Sequence, residues 1–477
     1  MALALILFPF AMAGIAAILP SNRFRPWLLP ASSVLQSAAV LLVLLRPELR
    51  SFGDWLSLDA PGALVLAVVS LLFLFCSFYA AGYLRYRQER SNRVFTACLL
   101  VFLGVVSLVS LSRHLGLMWV AMEATTLCTA PLIYFNHSKR SIEATWKYLL
   151  ICSVGIALAL LGSFFLAYSS IGPGGGATLT LDTLIASAPR LAKPWFHAAF
   201  ILLLVGYGTK MGLAPMHTWK PDAYGEAPGV VGAVFAGGVT SCAFLAFVRI
   251  YQIGQAAGES QFMSRILLAI GLLSMAVAGL FVAGQRDFKR ALAYSSVEHM
   301  GILMVGLGIG GPALFGTLFH VLTNAVTKGL LFLSAGNIHR AYASKSTEHV
   351  RGALRRLPLS AGLFVGGFLA ITGSPPFGPF ISEFSILNGA FAGGHFLTAA
   401  LFILFVLVVF VGMGRTILQV VQGRPTAEAA DSGYRDGFLT AAPAVALMAI
   451  VLALGLWMPQ ALGSLIREAA SSIGAGL

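Results

Sequence analysis

The sequence predicts an all-α polytopic membrane protein of about fourteen transmembrane helices, with helices seven and twelve broken, and three observations carry that expectation. The 477 residues are 58% hydrophobic and only 10% charged, with a mean hydropathy of +0.86, whereas soluble domains hold about 25% charged residues. Apolar runs of about 20 residues, the length that crosses a bilayer as a helix, recur along the whole chain. Basic residues crowd into alternate connections between those runs. A chain this apolar cannot keep its surface wet, and no polar stretch is long enough for a soluble domain. Residues 1–477 therefore read as a single membrane domain.

The runs fall at 1–19, 27–45, 61–84, 94–112, 115–135, 144–170, 194–216, 229–251, 263–283, 290–309, 312–336, 358–392, 396–417 and 438–458. The first lacks a basic leader and a clear cleavage site, so it reads as a retained span rather than a signal peptide. The seventh ends in a mild break, Gly212-Leu213-Ala214-Pro215. The twelfth is too long for one straight helix, and Gly373-Ser374-Pro375-Pro376-Phe377-Gly378-Pro379 must interrupt it, because each proline removes a backbone donor. In the sixth connection, Gly172-Pro173-Gly174-Gly175-Gly176 reads as a loop and not a phosphate cradle, since the lysine and preceding strand of such a cradle are missing.

Odd-numbered connections hold most of the basic residues, among them Arg85, Arg87, Arg90 and Arg93 in the third, Lys220 in the seventh, and Arg286, Lys289 and Arg290 in the ninth. Even connections and span edges hold few, such as Arg46, Arg50, Arg113 and Arg249. The bias puts the odd connections in the cytoplasm and both termini outside a bacterial or archaeal cell (inner) membrane. The same scatter excludes nucleic acid as the reason for the net charge of +13. Cys76, Cys98, Cys128, Cys152 and Cys242 lie singly in apolar segments, so neither an iron–sulfur nor a zinc site is expected, and no cofactor motif is present.

The two interrupted runs lie five spans apart and so run in opposite directions through the bilayer. Broken helices at matching positions of inverted halves point to ion sites in transporters. The repeats are expected at 94–251 (helices 4–8) and 263–417 (helices 9–13), though proline kinks alone also break membrane helices.

Charge within the apolar runs is the strongest functional signal, since it costs about 2.5–3.5 kcal/mol at the bilayer centre on insertion scales. Glu123 and Lys210 lie within the fifth and seventh runs and are expected to pair, as a coupling element or as an ion pair that locks two helices. His320, Asn324 and Lys328 recur every fourth residue and share one face of the eleventh run, as Ser295 and His299 do on the tenth. Histidine both accepts and donates a proton near neutral pH, so the stripe is expected to form a relay, with Glu298 a weaker member. Glu383 follows the twelfth-run break, as an exit site or as a helix-capping carboxylate. Lys147 and His217 lie near the cytoplasmic ends of their runs, where proton access, snorkelling and a solvated loop all account for them.

At these residues the chain resembles the antiporter-like proton-translocating subunits of respiratory complex I and group 4 hydrogenases, most closely hydrogenase-4 component F. The resemblance rests on WVAMEATTL (119–127), ATWKYLLICSVGIALALLG (144–162), GYGTKMGLAPMHTW (206–219), QRDFKRALAYSSVEHMGI (285–302) and ITGSPPFGPFISEF (371–384). It implies fourteen core helices in two inverted five-helix repeats. It makes Glu123 and Lys210 the coupling pair, His299, His320 and Lys328 the central axis, and Glu383 the acid of the twelfth helix. Two departures stand out. Many members carry a lysine on helix eight where this chain has Ser241, and only Met458 to Leu477 follow the last run, as in the middle complex I subunits.

The expected function is a proton-translocating membrane subunit of a multi-subunit redox complex of the hydrogenase-4 or NADH dehydrogenase type. It would have no catalytic centre, cofactor or metal of its own, and its partners would be other membrane subunits of a respiratory or hydrogenase complex, lipid and protons. The alternatives are a cation/proton antiporter subunit, a proton-driven partner of an inorganic-carbon uptake complex, and a non-conducting scaffold.

Overall fold

The structure, a computed structural model, describes residues 1–171, 176–425 and 433–474; Gly172 to Gly175 of the glycine-rich connection lie outside them. Among the described residues, eleven helices are long and apolar enough to cross a membrane. The helices in chain order are α1 (Ala2–Ile18), α2 (Leu28–Leu45), α3 (Ala60–Arg85), α4 (Arg93–Leu111), α5 (Leu115–Ile133) and α6 (Lys139–Ser169). A short α7 (Leu181–Ser187) precedes α8 (Lys193–Met211), α9 (Trp219–Glu226), α10 (Gly229–Ala256), α11 (Ser260–Ala283) and α12 (Phe288–Ile309). There follow α13 (Leu314–Tyr342), α14 (Pro358–Ile371), α15 (Gly378–Ala392), α16 (Phe396–Val421), α17 (Phe438–Leu456) and α18 (Gln460–Gly474). Among the described residues the one small sheet is a hairpin pairing Ser51–Phe52 with Leu56–Ser57.

Both interruptions have a local cause. α8 stops because Gly212 takes a left-handed φ of +78°, and the Leu213 N–H turns back to the Gly208 carbonyl at 2.9 Å. The chain passes a cis Ala214–Pro215 bond and resumes as α9. α14 stops in the same way before Gly373, at φ +67°, passes a cis Pro375–Pro376 bond and resumes as α15.

Hydropathy ends the seventh run at residue 216 and assigns Lys220 to a cytoplasmic connection, and here the structure differs. Residues 219–226 fold back as a helix enclosed by protein, with Trp219, Lys220 and Tyr224 each fully buried. The polar run HTWKPDAY looks like a loop because protein and not lipid surrounds it. Its donors find carbonyls at the open end of α8: Trp219 Nε1 donates to Thr209 O at 2.9 Å and Lys220 Nζ to Met211 O at 2.6 Å. Lys289, likewise assigned to a connection, is buried at the start of α12 and donates to Gly225 O and Ala227 O.

α10 is wholly enclosed by other helices, whereas α16 is only 33% buried and turns Leu407, Phe410 and Val411 outward. Close helix approach depends on glycine. A Cβ on Gly206 of α8 would stand 2.7 Å from the Gly155 carbonyl of α6, and one on Gly301 of α12 would stand 2.6 Å from the Gly271 carbonyl of α11. A π-helical turn, Val234–Val239, interrupts α10 just before Ser241. Such turns accumulate at functional sites.

Odd-numbered connections gather on one face. Arg90 reaches Phe135 O, Asn136 reaches Glu226 O, and Arg340 reaches Tyr86 O. Even-numbered ones gather on the other, where Arg113 N–H bonds Trp55 O and Leu115 N–H bonds Leu179 O. There the buried Arg249 joins Asp59 at 3.2 Å and donates to the carbonyls of Val109, Ser110 and Ser112, while Arg113 pairs with Asp59 at 2.6 Å and also with Asp182. This cluster ties α3, α4, α7 and α10 together on the even-numbered face. α18 lies over the same face, with Gln252 Nε2 donating to Ser472 O at 3.2 Å.

Candidate functional site

The first cluster assembles from α5, α6 and α8. Glu123 and Thr126 stand one turn apart on α5, so both meet α6 and α8. Lys210 occupies the last turn of α8, where unpaired carbonyls favour a cation. Glu123 and Lys210 do not touch, which corrects the expected direct pair. The Thr126 hydroxyl stands between them, accepting from Lys210 Nζ at 2.5 Å and donating to Glu123 Oε2 at 3.0 Å. Ser153 donates to the other carboxylate oxygen at 2.9 Å. Lys210 also donates to the Tyr148 hydroxyl at 3.1 Å, and that hydroxyl is bonded to Thr129 at 2.8 Å. Lys210 is fully buried, and its ammonium lies 5.1 Å from the centroid of the Tyr148 ring.

The second cluster assembles from α12, α13 and α15, on the stripe that the four-residue spacing marks. Lys328 Nζ donates to Ser295 Oγ at 2.8 Å and to Leu292 O at 3.3 Å. One turn on, His299 Nδ1 meets His320 Nε2 at 3.0 Å, and His320 Nδ1 meets Ser382 Oγ at 2.8 Å. Ser382 is also bonded to Thr323 at 3.1 Å. Glu383 is buried beside them, with Oε1 3.8 Å from His299 Nδ1 and without a hydrogen-bond partner among the described residues. Asn324 lies on the same buried face, and its Oδ1 likewise lacks a partner among the described residues.

His299, His320 and Glu383 bring ligand atoms within 4.8 Å of one another, a donor set that a divalent metal accepts. The two imidazole nitrogens that face each other are spent on their mutual hydrogen bond, and His320 turns its other nitrogen to Ser382.

The access residues divide. Lys147 is half exposed on the odd-numbered face, paired with Glu143 at 2.6 Å and Asp222 at 3.0 Å, and joins neither cluster. His217 sits in the first break, largely buried beside the Phe281 and Tyr294 rings, with Nδ1 unpaired among the described residues. On the odd-numbered face opens a cavity of about 860 Å³, lined by Tyr79, Tyr83, Glu226, His339, Arg340 and Lys345 among others but by neither Lys147 nor His217. Sequence reasoning missed Thr126, Tyr148, Ser153 and Ser382, and the spacing of Glu123 and Thr126 was the only signal for the first. Outside the spans, on the even-numbered face, Lys193 at 2.7 Å and His197 at 2.8 Å hold the Glu259 carboxyl below the usual carboxylate range.

Buried ionisable groups joined by hydroxyls and imidazoles thus lie inside an apolar bundle of membrane-spanning helices. Over residues 112–414 the chain matches the family described as NADH:quinone oxidoreductase/Mrp antiporter, TM, and it belongs to that family. It is 32% identical over 471 residues to the hydrogenase-4 component F homolog of Methylacidiphilum infernorum, covering 96% of each chain. It is 30% identical over 368 residues to NADH-quinone oxidoreductase subunit N of Desulforudis audaxviator, covering 77% of this chain and 72% of that one. Its fold matches a chain of the Mrp complex from Dietzia sp. DQ12-45-1b with a TM-score of 0.87 at 23% identity, covering 99% of this chain and 97% of that one.

Proposed function

We propose that this chain is a proton-translocating membrane subunit of a multi-subunit redox complex of the hydrogenase-4 or NADH dehydrogenase type. On this reading it crosses the membrane fourteen times with both termini outside, in two inverted repeats at 94–251 and 263–417. Its partners are other membrane subunits, which carry the electrons. The observation that supports this most is the Thr126 hydroxyl between Lys210 and Glu123. It accepts from the ammonium and donates to the carboxylate. A proton can therefore pass from Lys210 to the threonine oxygen while the threonine proton passes to Glu123, leaving a neutral amine and a neutral acid. Separating Glu123 from Thr126 removes the acceptor and holds the proton on Lys210. Redox chemistry in a neighbouring subunit would drive that change, and Lys328, His299, His320 and Glu383 would carry the proton through the second half. The cavity on the odd-numbered face would give access from the cytoplasm, with His217 and Lys147 as separate access groups on the same side.

The test is a tag on this chain, isolation of the intact complex, reconstitution into vesicles and measurement of proton uptake with the donor that reduces the co-purified redox subunits. Lys210→Met should abolish uptake while the complex still assembles and still oxidises its donor. Normal uptake would make the cluster a structural lock. A cation/proton antiporter subunit is the second reading, favoured by the family's description, which covers Mrp antiporters as well as NADH:quinone oxidoreductases. Proton release from vesicles on adding Na⁺, without any donor, would establish it.

A further inference from the structure

Lys220 has no place in either cluster, yet it is fully buried between them. Its ammonium donates to Met211 O at 2.6 Å and to Ser296 O at 3.3 Å, and lies 5.6 Å from the centroid of the Tyr224 ring. Among the described residues it pairs with no carboxylate. A lysine that only braces a protein interior is usually neutralised by an acid, because an uncompensated buried charge is costly. Both of its acceptors adjoin a station. Met211 follows Lys210 in the chain, and Ser296 follows Ser295, which holds Lys328 at 2.8 Å.

The two helix breaks share a second feature. Gly212 and Gly373 are the left-handed residues that end α8 and α14, and over each lies the charged side chain of the half-helix that follows. A Cβ on Gly212 would stand 2.6 Å from Lys220 Cδ and 3.1 Å from Nζ, and one on Gly373 would collide with Glu383 Oε2. Each break thus has a glycine whose missing side chain leaves room for one ionisable group. Lys220 is to the first break what Glu383 is to the second. Ser241 spends its hydroxyl on Gly237 O of its own helix at 2.6 Å. The far end of α9, Gly225 and Glu226, lines the cavity on the odd-numbered face, so this helix runs from that cavity to Lys220.

We infer that Lys220 is a further proton station, carrying protons between Lys210 and Lys328 at the junction of the two halves. The inference rests on the proton-translocating reading above. In each transit the Lys220 ammonium releases a proton to water on the Ser295 side and keeps its lone pair as a neutral amine. It then regains a proton delivered from the Lys210 side, so charge and protons balance over the cycle.

The experiment uses the tagged, reconstituted complex and two substitutions. Lys220→Met removes the proton carrier and should lower proton uptake by roughly a hundredfold, the usual loss when a proton-transfer group is deleted. Lys220→Arg keeps a cation for both carbonyls, so the complex should assemble, but guanidinium does not deprotonate and uptake should fall equally. Uptake at the wild-type rate in the arginine variant would make Lys220 an anchor for the broken helix and overturn the inference. So would failure of that variant to assemble. Lys210→Met separates the two claims. If it stops uptake while an assembled Lys220→Met complex pumps normally, only the inference falls. If both pump normally, the translocation reading falls with it.

Discussion

Replacing Thr126 with valine removes one hydroxyl and leaves a side chain of nearly the same shape at the one link between Lys210 and Glu123 among the described residues. Two charge-assisted hydrogen bonds disappear, one at 2.5 Å from the ammonium and one at 3.0 Å to the carboxylate. Hydrogen bonds to charged groups contribute about 1.5–3 kcal/mol each. Lys210 keeps Tyr148 and Glu123 keeps Ser153, so neither is stranded and the net cost to the fold should stay near 3 kcal/mol or below. The cost to transport is of another kind. With no hydroxyl to accept and donate at once, a proton on Lys210 has no bonded route to Glu123, and uptake per electron should drop by roughly a hundredfold. Thr126→Ser restores the hydroxyl and should restore uptake. The assay is proton uptake by vesicles holding the intact complex, measured beside donor oxidation and subunit composition. If the valine variant pumps as wild type does, or if the serine variant is as impaired as the valine one, the hydroxyl is packing and the bridging argument is wrong.

Three further outcomes follow from the same geometry. Ser382→Ala leaves His320 Nδ1 and Thr323 without a shared partner in the interior, which should cost about 1–3 kcal/mol in thermal stability and slow proton uptake more than it slows assembly; unchanged uptake would take the serine out of the relay. Gly206→Ala sets a Cβ 2.6 Å from that of Ala159 and should force α6 off α8, lowering stability by about 1–3 kcal/mol in a melting experiment and pulling Tyr148 from Lys210. Glu259 carries a pH dependence of known sign. Because Lys193 and His197 hold its carboxyl below the usual range in the folded chain, its stabilising effect is present above the unfolded-state value of about 4.3 and is lost as pH falls through the folded one. Glu259→Gln should flatten the acid limb of a stability–pH curve, and an unchanged limb would refute that account.

How far the sequence anticipates this structure depends on what surrounds each segment. Apolar runs that face lipid, such as α16, announce themselves by hydropathy alone. The stripe His320, Asn324, Lys328 is legible because a four-residue period on one helix needs no knowledge of its neighbours, and both breaks are legible because glycine and proline act locally. Thr126 is not legible in that way. Thr125 and Thr129 on the same helix bond Met122 O, the Thr125 and Thr126 carbonyls and Tyr148, and nothing in the chain order says which hydroxyl meets Lys210. Lys220 and Lys289 are misassigned for one reason. A polar helix enclosed by protein has the composition of a loop, and the carbonyls that hold these lysines come from chain ends that only the fold brings near.

Those carbonyls bear on how the two halves could communicate. Lys210 lies in the last turn of α8, and Lys220 donates to Met211 O at the same open helix end. Two lysines thus share the negative pole of one helix, Lys220 through the Met211 carbonyl and Lys210 through its place in the last turn. Glu123 is reached from Lys210 only through a threonine, so it screens the pair less than a direct partner would. A shared helix end of this kind stabilises one ammonium more readily than two. On the proposed reading, protonating Lys210 weakens the hold on the Lys220 proton and favours its movement toward Ser295 and Lys328, while transfer from Lys210 to Glu123 reverses the bias. The broken helix would then be the coupling element itself. A double substitution at Lys210 and Lys220 should, in that case, impair uptake no more than the Lys210 substitution alone, because both lysines serve one path. Losses that multiply would mean that the two lysines act in separate paths.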